Sequence, residues 1–150
     1  MRIFVFGTLK QGFPNYQHNN GAHLPGHFQM RESYPLYLVG KRQSPWLVDN
    51  PGYGNRVTGE LFDVDSAALD AMDTLERISV PDGFTRQTVQ VCDESEKVQD
   101  AFVYVKSLAQ FSEAIRAGER VTGPVDEYTL EMAAGYSPRA IIENRLSQES

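Results

Sequence analysis

Cysteine is nearly missing from this chain of 150 residues. Cys92 is the only one, which excludes an intramolecular disulfide and a cysteine-based zinc site. Long apolar runs are missing too: no stretch approaches the ~20 residues that a membrane helix needs. Nothing in the first residues reads as a signal peptide, because Met1-Arg2 leads straight into a short strand. Positive charge is in deficit. Lys and Arg number 14 against 20 Asp and Glu, a formal net charge of −6, so the balance gives no support to a nucleic-acid partner. Histidine is scarce, and His18, His23 and His27 have no carboxylate or cysteine at a ligand-like spacing. They read as loop histidines, with no metal expected. Repeats, low-complexity tracts and interdomain linkers are also absent. What is left is a cytoplasmic protein expected to form one domain over 1–150, with 41% hydrophobic and 23% charged residues and enough length to bury a core.

The most informative stretch is IFVFGTLKQG, Ile3 to Gly12. Ile3-Phe4-Val5-Phe6 has the composition of a buried central strand. It stops at Gly7-Thr8-Leu9-Lys10-Gln11-Gly12, where a glycine lets the backbone turn sharply or approach a ligand. Successive amides in such a turn form a concavity for an anion. Two readings stand: the floor of a site for a small carboxylate-bearing molecule, or an ordinary turn after a strand.

Further strands are expected over Phe28–Ser33, Leu36–Val39 and Ser44–Val48. The turn cluster Asp49–Asn55 predicts a hairpin from Ser44–Val48 into Arg56–Val64, in which Gly59 marks a bend or a close backbone approach. Phe84–Cys92 alternates cleanly, and Asp93–Lys97 is a solvated loop into the strand Val98–Lys106. Ser107–Gly118 holds a short helix with Leu108, Phe111 and Ile115 in register and Gly118 as its stop. From about residue 137 a peripheral tail is expected.

The clearest helix runs from Ser66 to about Ile78, capped by Asp65 or Ser66. Leu69, Met72 and Leu75, with Ala68 beside them, form its apolar stripe, and Asp70, Asp73 and Arg77 fall on the solvated face. Glu76 lies four residues after Met72 and shares the apolar face, where a carboxylate is costly. An acid in an apolar pocket has its neutral form favoured and its pKa raised, which suits proton exchange near neutral pH. Periodicity alone leaves two other readings open: pairing with a buried Arg or Lys, or escape to solvent at the helix end. The sum is an α+β fold, a small mixed and partly closed β-barrel of about six strands with flanking helices.

Taken in order, Phe6–Gly12, Tyr34-Pro35-Leu36, Pro45-Trp46-Leu47, Gly59–Val64, Met72–Glu76, Phe84-Thr85-Arg86 and Phe102-Val103-Tyr104 resemble the γ-glutamylcyclotransferase-like superfamily, nearest its γ-glutamylamine cyclotransferase branch. The resemblance covers most of residues 3–106 and extends loosely over Tyr128 to Arg145. It implies a small barrel whose cavity takes a γ-glutamyl group, with no cofactor and with a glutamate at the position of Glu76 as the acid/base. It implies substrate contacts at Phe6, Gly7, Thr8, Leu9, Pro45, Trp46 and Phe84, the first four largely through backbone. Phe6 and Phe84 stand where the family commonly has tyrosine, and the loop Ser79–Gly83 is longer than in the amine branch.

The implied reaction closes the γ-glutamyl group of a small amide, such as γ-glutamyl-ε-lysine, to 5-oxoproline and frees an amine. The nucleophile is tethered to its own electrophile, so the enzyme folds the chain and moves protons. Alternatives on the same fold are a non-catalytic small-molecule binder, a γ-glutamyl amide hydrolase and a protein-interaction domain. The leaving amine and the oligomeric state are not readable from the residues.

Overall fold

The computed structural model describes residues 1–138; the resemblance from Arg139 to Arg145 and the rest of the expected tail lie outside the described residues. Within them the chain forms β1 (Arg2–Val5), β2 (Ala22–His23), β3 (Phe28–Met30), β4 (Leu36–Val39), β5 (Ser44–Leu47) and β6 (Thr58–Asp63). After α1 (Ser66–Leu75) come β7 (Thr85–Cys92), β8 (Val98–Val105), α2 (Leu108–Arg116), β9 (Val121–Val125) and α3 (Leu130–Ala133). No helix among the described residues is long and apolar enough to cross a membrane.

β1 organises the architecture. It pairs antiparallel with β6 on one edge and parallel with β8 on the other. The order β1-β8-β7-β3-β6 then returns to β1, so the five strands make a closed mixed barrel rather than the partly closed one expected. Closure removes the exposed strand edges. Alternation along β1 buries both of its faces. Phe4 and Phe6 enter the barrel with Leu61, Val89, Val91, Ala101, Val103 and Val105, while Ile3 and Val5 face outward against Leu69 and Met72 of α1. β8 divides in the same way, with Tyr104 in the outer cluster.

A tight turn at Gly40 and Gln43, both at positive φ, folds β4 back on β5, and β9 joins the other edge of β4. The expected hairpin from Ser44–Val48 into Arg56–Val64 therefore does not form. β5 pairs with β4, and the Asp49–Asn55 cluster carries the chain from this small sheet into the barrel. Bonds from Lys106 N to Leu47 O (2.8 Å) and from Asp49 N to Lys106 O (2.8 Å) fasten the two sheets together. β2 has two residues and β9 contains Gly123-Pro124; neither carries a readable strand signal, since proline is confined to sheet edges.

α1 is capped as expected, with Asp65 accepting from Ala68 N at 2.8 Å, but it ends at Leu75 rather than near Ile78. Arg77 turns to φ +57, and Gly83 folds back so closely that a Cβ there would stand 1.8 Å from the Arg77 oxygen. In α2 the capping box of Ser107 and Gln110 starts the helix. Phe111 is buried, whereas Leu108 and Ile115 are exposed. Tyr136 to Pro138 are not peripheral: Ser137 N donates to Arg42 O at 3.0 Å and Arg42 Nε to Ser137 O at 3.0 Å.

The close approach expected at Gly59 is real. A Cβ there would lie 2.5 Å from Val5 O and 2.6 Å from the Phe4 ring. Gly59→Ala is expected to lower stability by about 1–3 kcal/mol through overpacking; urea denaturation measures it, and an unchanged midpoint would show that the two strands can separate at no cost.

Candidate active site

The chain leaving β1 is buried on all sides and has to exit under β5. A Cβ on Gly7 would meet Pro45 Cγ at 2.8 Å, so only glycine lets the backbone pass. The loop then closes on itself through Lys10 N to Gly7 O (3.1 Å) and Asn15 N to Thr8 O (2.9 Å), with Asn19 Nδ2 donating to Leu9 O at 3.0 Å. None of these bonds uses the N–H groups of Gly7, Thr8 or Leu9. Lys10 stiffens the loop from behind. Its ammonium is buried, donates to Tyr128 O at 2.5 Å and lies 4.2 Å from the Phe13 ring centroid. Burial pushes its pKa down, opposed by Glu127 and Glu60.

This loop walls a cavity of about 250 Å³. The expected residues Phe6, Gly7, Thr8, Leu9, Pro45, Glu76 and Phe84 all line it. Glu76 is the C-cap of α1 rather than part of its last turn. Its N–H donates to Met72 O at 2.9 Å and its carbonyl accepts from Phe84 N at 3.0 Å, so the backbone beneath the carboxylate is held from both sides. Trp46 is not brought to the cavity. Pro45 turns toward Gly7, while Trp46 packs with Val39, Val48 and Phe111 and lies under the Lys106 ammonium at 4.5 Å. Strand alternation sends these neighbours to opposite sides of β5.

Several lining residues were not among the expected contacts: Asn15, His18, Arg42, Ser44, Tyr104 and Tyr136. Asp73, expected on the solvated face of α1, is mostly buried and accepts from Tyr104 OH at 2.7 Å; it also forms an ion pair with Arg86. The face assignment fails because β7 and β8 cover that side of the helix, and Arg86 and Tyr104 face each other across their pairing. Arg86 on the alternating strand β7 was the legible hint, since a half-buried guanidinium seeks a carboxylate. Burial, Asp73 and then Glu76 push the Tyr104 hydroxyl well above the usual tyrosine range. Tyr104 thus keeps its proton and commits it to Asp73, leaving only oxygen lone pairs for anything in the cavity.

The arrangement places backbone N–H donors, one carboxylate and one proton-holding phenol around a small, largely apolar space. It can hold an anionic group on the loop and move a proton at Glu76.

Residues 3–123 match the family described as gamma-glutamyl cyclotransferase, AIG2-like. Gamma-glutamylaminecyclotransferase C of Danio rerio is 36% identical over 114 residues, 69% of this chain and 74% of that protein. Gamma-glutamylaminecyclotransferase of Homo sapiens is 39% identical over 94 residues, 59% of this chain; the match spans 60% of the human protein's length. The crystal structure of an AIG2-like protein from Mus musculus superposes with a TM-score of 0.74 at 33% identity, covering 92% of this chain and 95% of that one.

Tyr128 is fully buried, and burial and Tyr136 also push its hydroxyl above the usual range. Unfolded tyrosines titrate near pH ~10, so above that value the native state holds more protons than the unfolded one. The stabilisation from these two hydroxyls is therefore full below about pH 10 and falls as pH rises past it, by up to about 1.4 kcal/mol per pH unit for each tyrosine. Urea unfolding across about pH 9 to 11 reads this slope. Tyr104→Phe is expected to flatten it, and an unaltered slope in that variant would contradict the assignment.

Proposed function

The chain belongs to the gamma-glutamyl cyclotransferase, AIG2-like family, and from that premise we propose that it cyclises the γ-glutamyl group of small γ-glutamyl amides to 5-oxoproline with release of the free amine. The observation that carries this reading is the meeting, in one cavity, of the Gly7–Leu9 backbone and the Glu76 carboxylate.

The substrate's α-carboxylate lies against the N–H groups of Gly7, Thr8 and Leu9, and the apolar walls of Phe6, Pro45 and Phe84 fold the glutamyl chain toward a five-membered ring. Glu76 removes a proton from the α-ammonium. The freed amine attacks the γ-carbonyl carbon, forming the ring N–C bond and a tetrahedral oxyanion, for which a neighbouring loop amide is the donor. Glu76 then delivers its proton to the departing nitrogen as the amide C–N bond breaks, and the second proton of the ring nitrogen follows through Glu76, so the lactam keeps one N–H and the amine leaves as its ammonium. Nucleophile and electrophile belong to one molecule, so holding it curled supplies much of the acceleration. In class terms the step is an intramolecular aminolysis, an acyl transfer that eliminates an amine. Tyr104, with its proton held by Asp73, presents an acceptor to the ammonium before that proton leaves. No step calls for a cofactor.

Glu76→Gln is expected to fold normally and bind substrate while kcat falls by about 10²–10⁴. The measurement is mass spectrometry of products from a panel of γ-glutamyl amines and dipeptides. Full activity in the Gln variant would remove Glu76 from the mechanism, and free glutamate in place of 5-oxoproline would assign a hydrolase.

A further inference from the structure

The cavity has a closed end and an open one. Phe4, Phe6, Leu9 and Tyr104 are buried at the first, while His18, Arg42 and Tyr136 sit at the more exposed rim. A substrate with its γ-glutamyl group on the Gly7–Leu9 loop and its scissile amide at Glu76 must send its leaving group toward that rim. Arg42 waits there, in the turn between β4 and β5.

Its guanidinium is held in place. Nε donates to Ser137 O at 3.0 Å, Nη2 donates to Tyr136 OH at 3.2 Å, and the group lies 5.7 Å from the Tyr136 ring centroid. Tyr136 OH also accepts from Asn15 Nδ2 at 3.1 Å, and Asn15 donates to Thr8 Oγ1 at 2.9 Å. A continuous hydrogen-bonded path therefore fixes Arg42 relative to the loop that takes the glutamyl group. Of a guanidinium's five N–H donors, the bonds to Tyr136 and Ser137 use two, leaving the Nη1 edge. No ion pair among the described residues involves Arg42. A pre-positioned guanidinium edge with no carboxylate partner among the described residues matches a planar anion with two oxygens. The substrate's α-carboxylate is already assigned to the loop, so the anion has to belong to the other half of the molecule.

We propose that Arg42 recognises a carboxylate on the leaving amine, making γ-glutamyl conjugates of amino acids the preferred substrates over those of polyamines or plain alkylamines. This rests on the cyclotransferase reading above. A polyamine tail would instead bring a second cation against the guanidinium, which costs affinity.

The test compares γ-glutamyl-ε-lysine with γ-glutamylcadaverine, the same molecule without the carboxylate. Wild-type kcat/KM is expected to favour the lysine conjugate by about ten- to hundredfold, carried mainly by KM. Arg42→Gln should bring the ratio to within about twofold, and Arg42→Lys, which keeps charge but loses the fork, should fall between. If Arg42 only latched the Tyr136–Pro138 segment, both substrates would suffer in proportion and the ratio would survive, overturning the proposal. Equal treatment of the two compounds by the wild type would overturn it even if no variant folds. Calorimetric titration of both compounds into Glu76→Gln, with and without Arg42→Gln, reads the contact without turnover. Absence of 5-oxoproline with a tenfold, Arg42-dependent affinity difference would sink the reaction but keep the carboxylate site; equal affinities would sink the site.

Discussion

The double pairing of β1 is the constraint on which the rest depends. A strand bonded to β6 on one edge and β8 on the other, and buried on both faces, cannot shift its register without moving the barrel core and the α1 interface together. Its end is therefore a fixed point. The chain has one way out, beneath Pro45, and that exit needs a residue without a side chain at Gly7. A rigid strand delivering a turn into a cavity is how a scaffold positions backbone donors without spending side chains on them.

Buried cations on either side of that cavity follow a common pattern. Lys10 donates a hydrogen bond to the carbonyl of Tyr128 and sits over Phe13. Lys106 donates to the carbonyl of Asp82 and lies between the rings of Trp46 and Phe84. A backbone carbonyl and an aromatic face offset part of the desolvation cost of an ammonium. Each lysine also ties a wall of the cavity to a distant segment: the loop to residue 128, and Phe84's neighbourhood to the turn after α1. The third tie, Asp73 with Arg86 and Tyr104, fastens α1 to the strand pair that Glu76 overlooks.

Local pattern made much of this legible. The apolar run before Gly7, the stripe of Leu69 and Met72, the alternation of β7 and β8 and the mid-strand Gly59 each state their own structure, because burial and backbone clearance act on neighbours in sequence. Glu76 was legible because a carboxylate on an apolar face contradicts its surroundings. Trp46 departs from the expected substrate contact because its side of β5 depends on which sheet owns the strand, and that is settled by the Gly40–Gln43 turn and the pairing with β4. Asp73 departs from the expected solvated face because a helix has such a face only until something else packs on it. Arg42 and Tyr136 reach the cavity through contacts more than ninety residues apart, which no window along the chain reveals.

The tie between Lys10 and Tyr128 spans 118 positions of sequence, and Arg42 meets its partners at residues 136 and 137. On the ribosome, where chains emerge from the N-terminus, the loop that walls the cavity is made well before the residues that support it. The nascent chain can complete neither the buried ammonium's hydrogen bond nor the rim of the pocket until residues 128 to 138 have emerged. The finished cavity thus comes only after the last barrel strand, β8, so partial products of translation can carry all five barrel strands without a completed pocket.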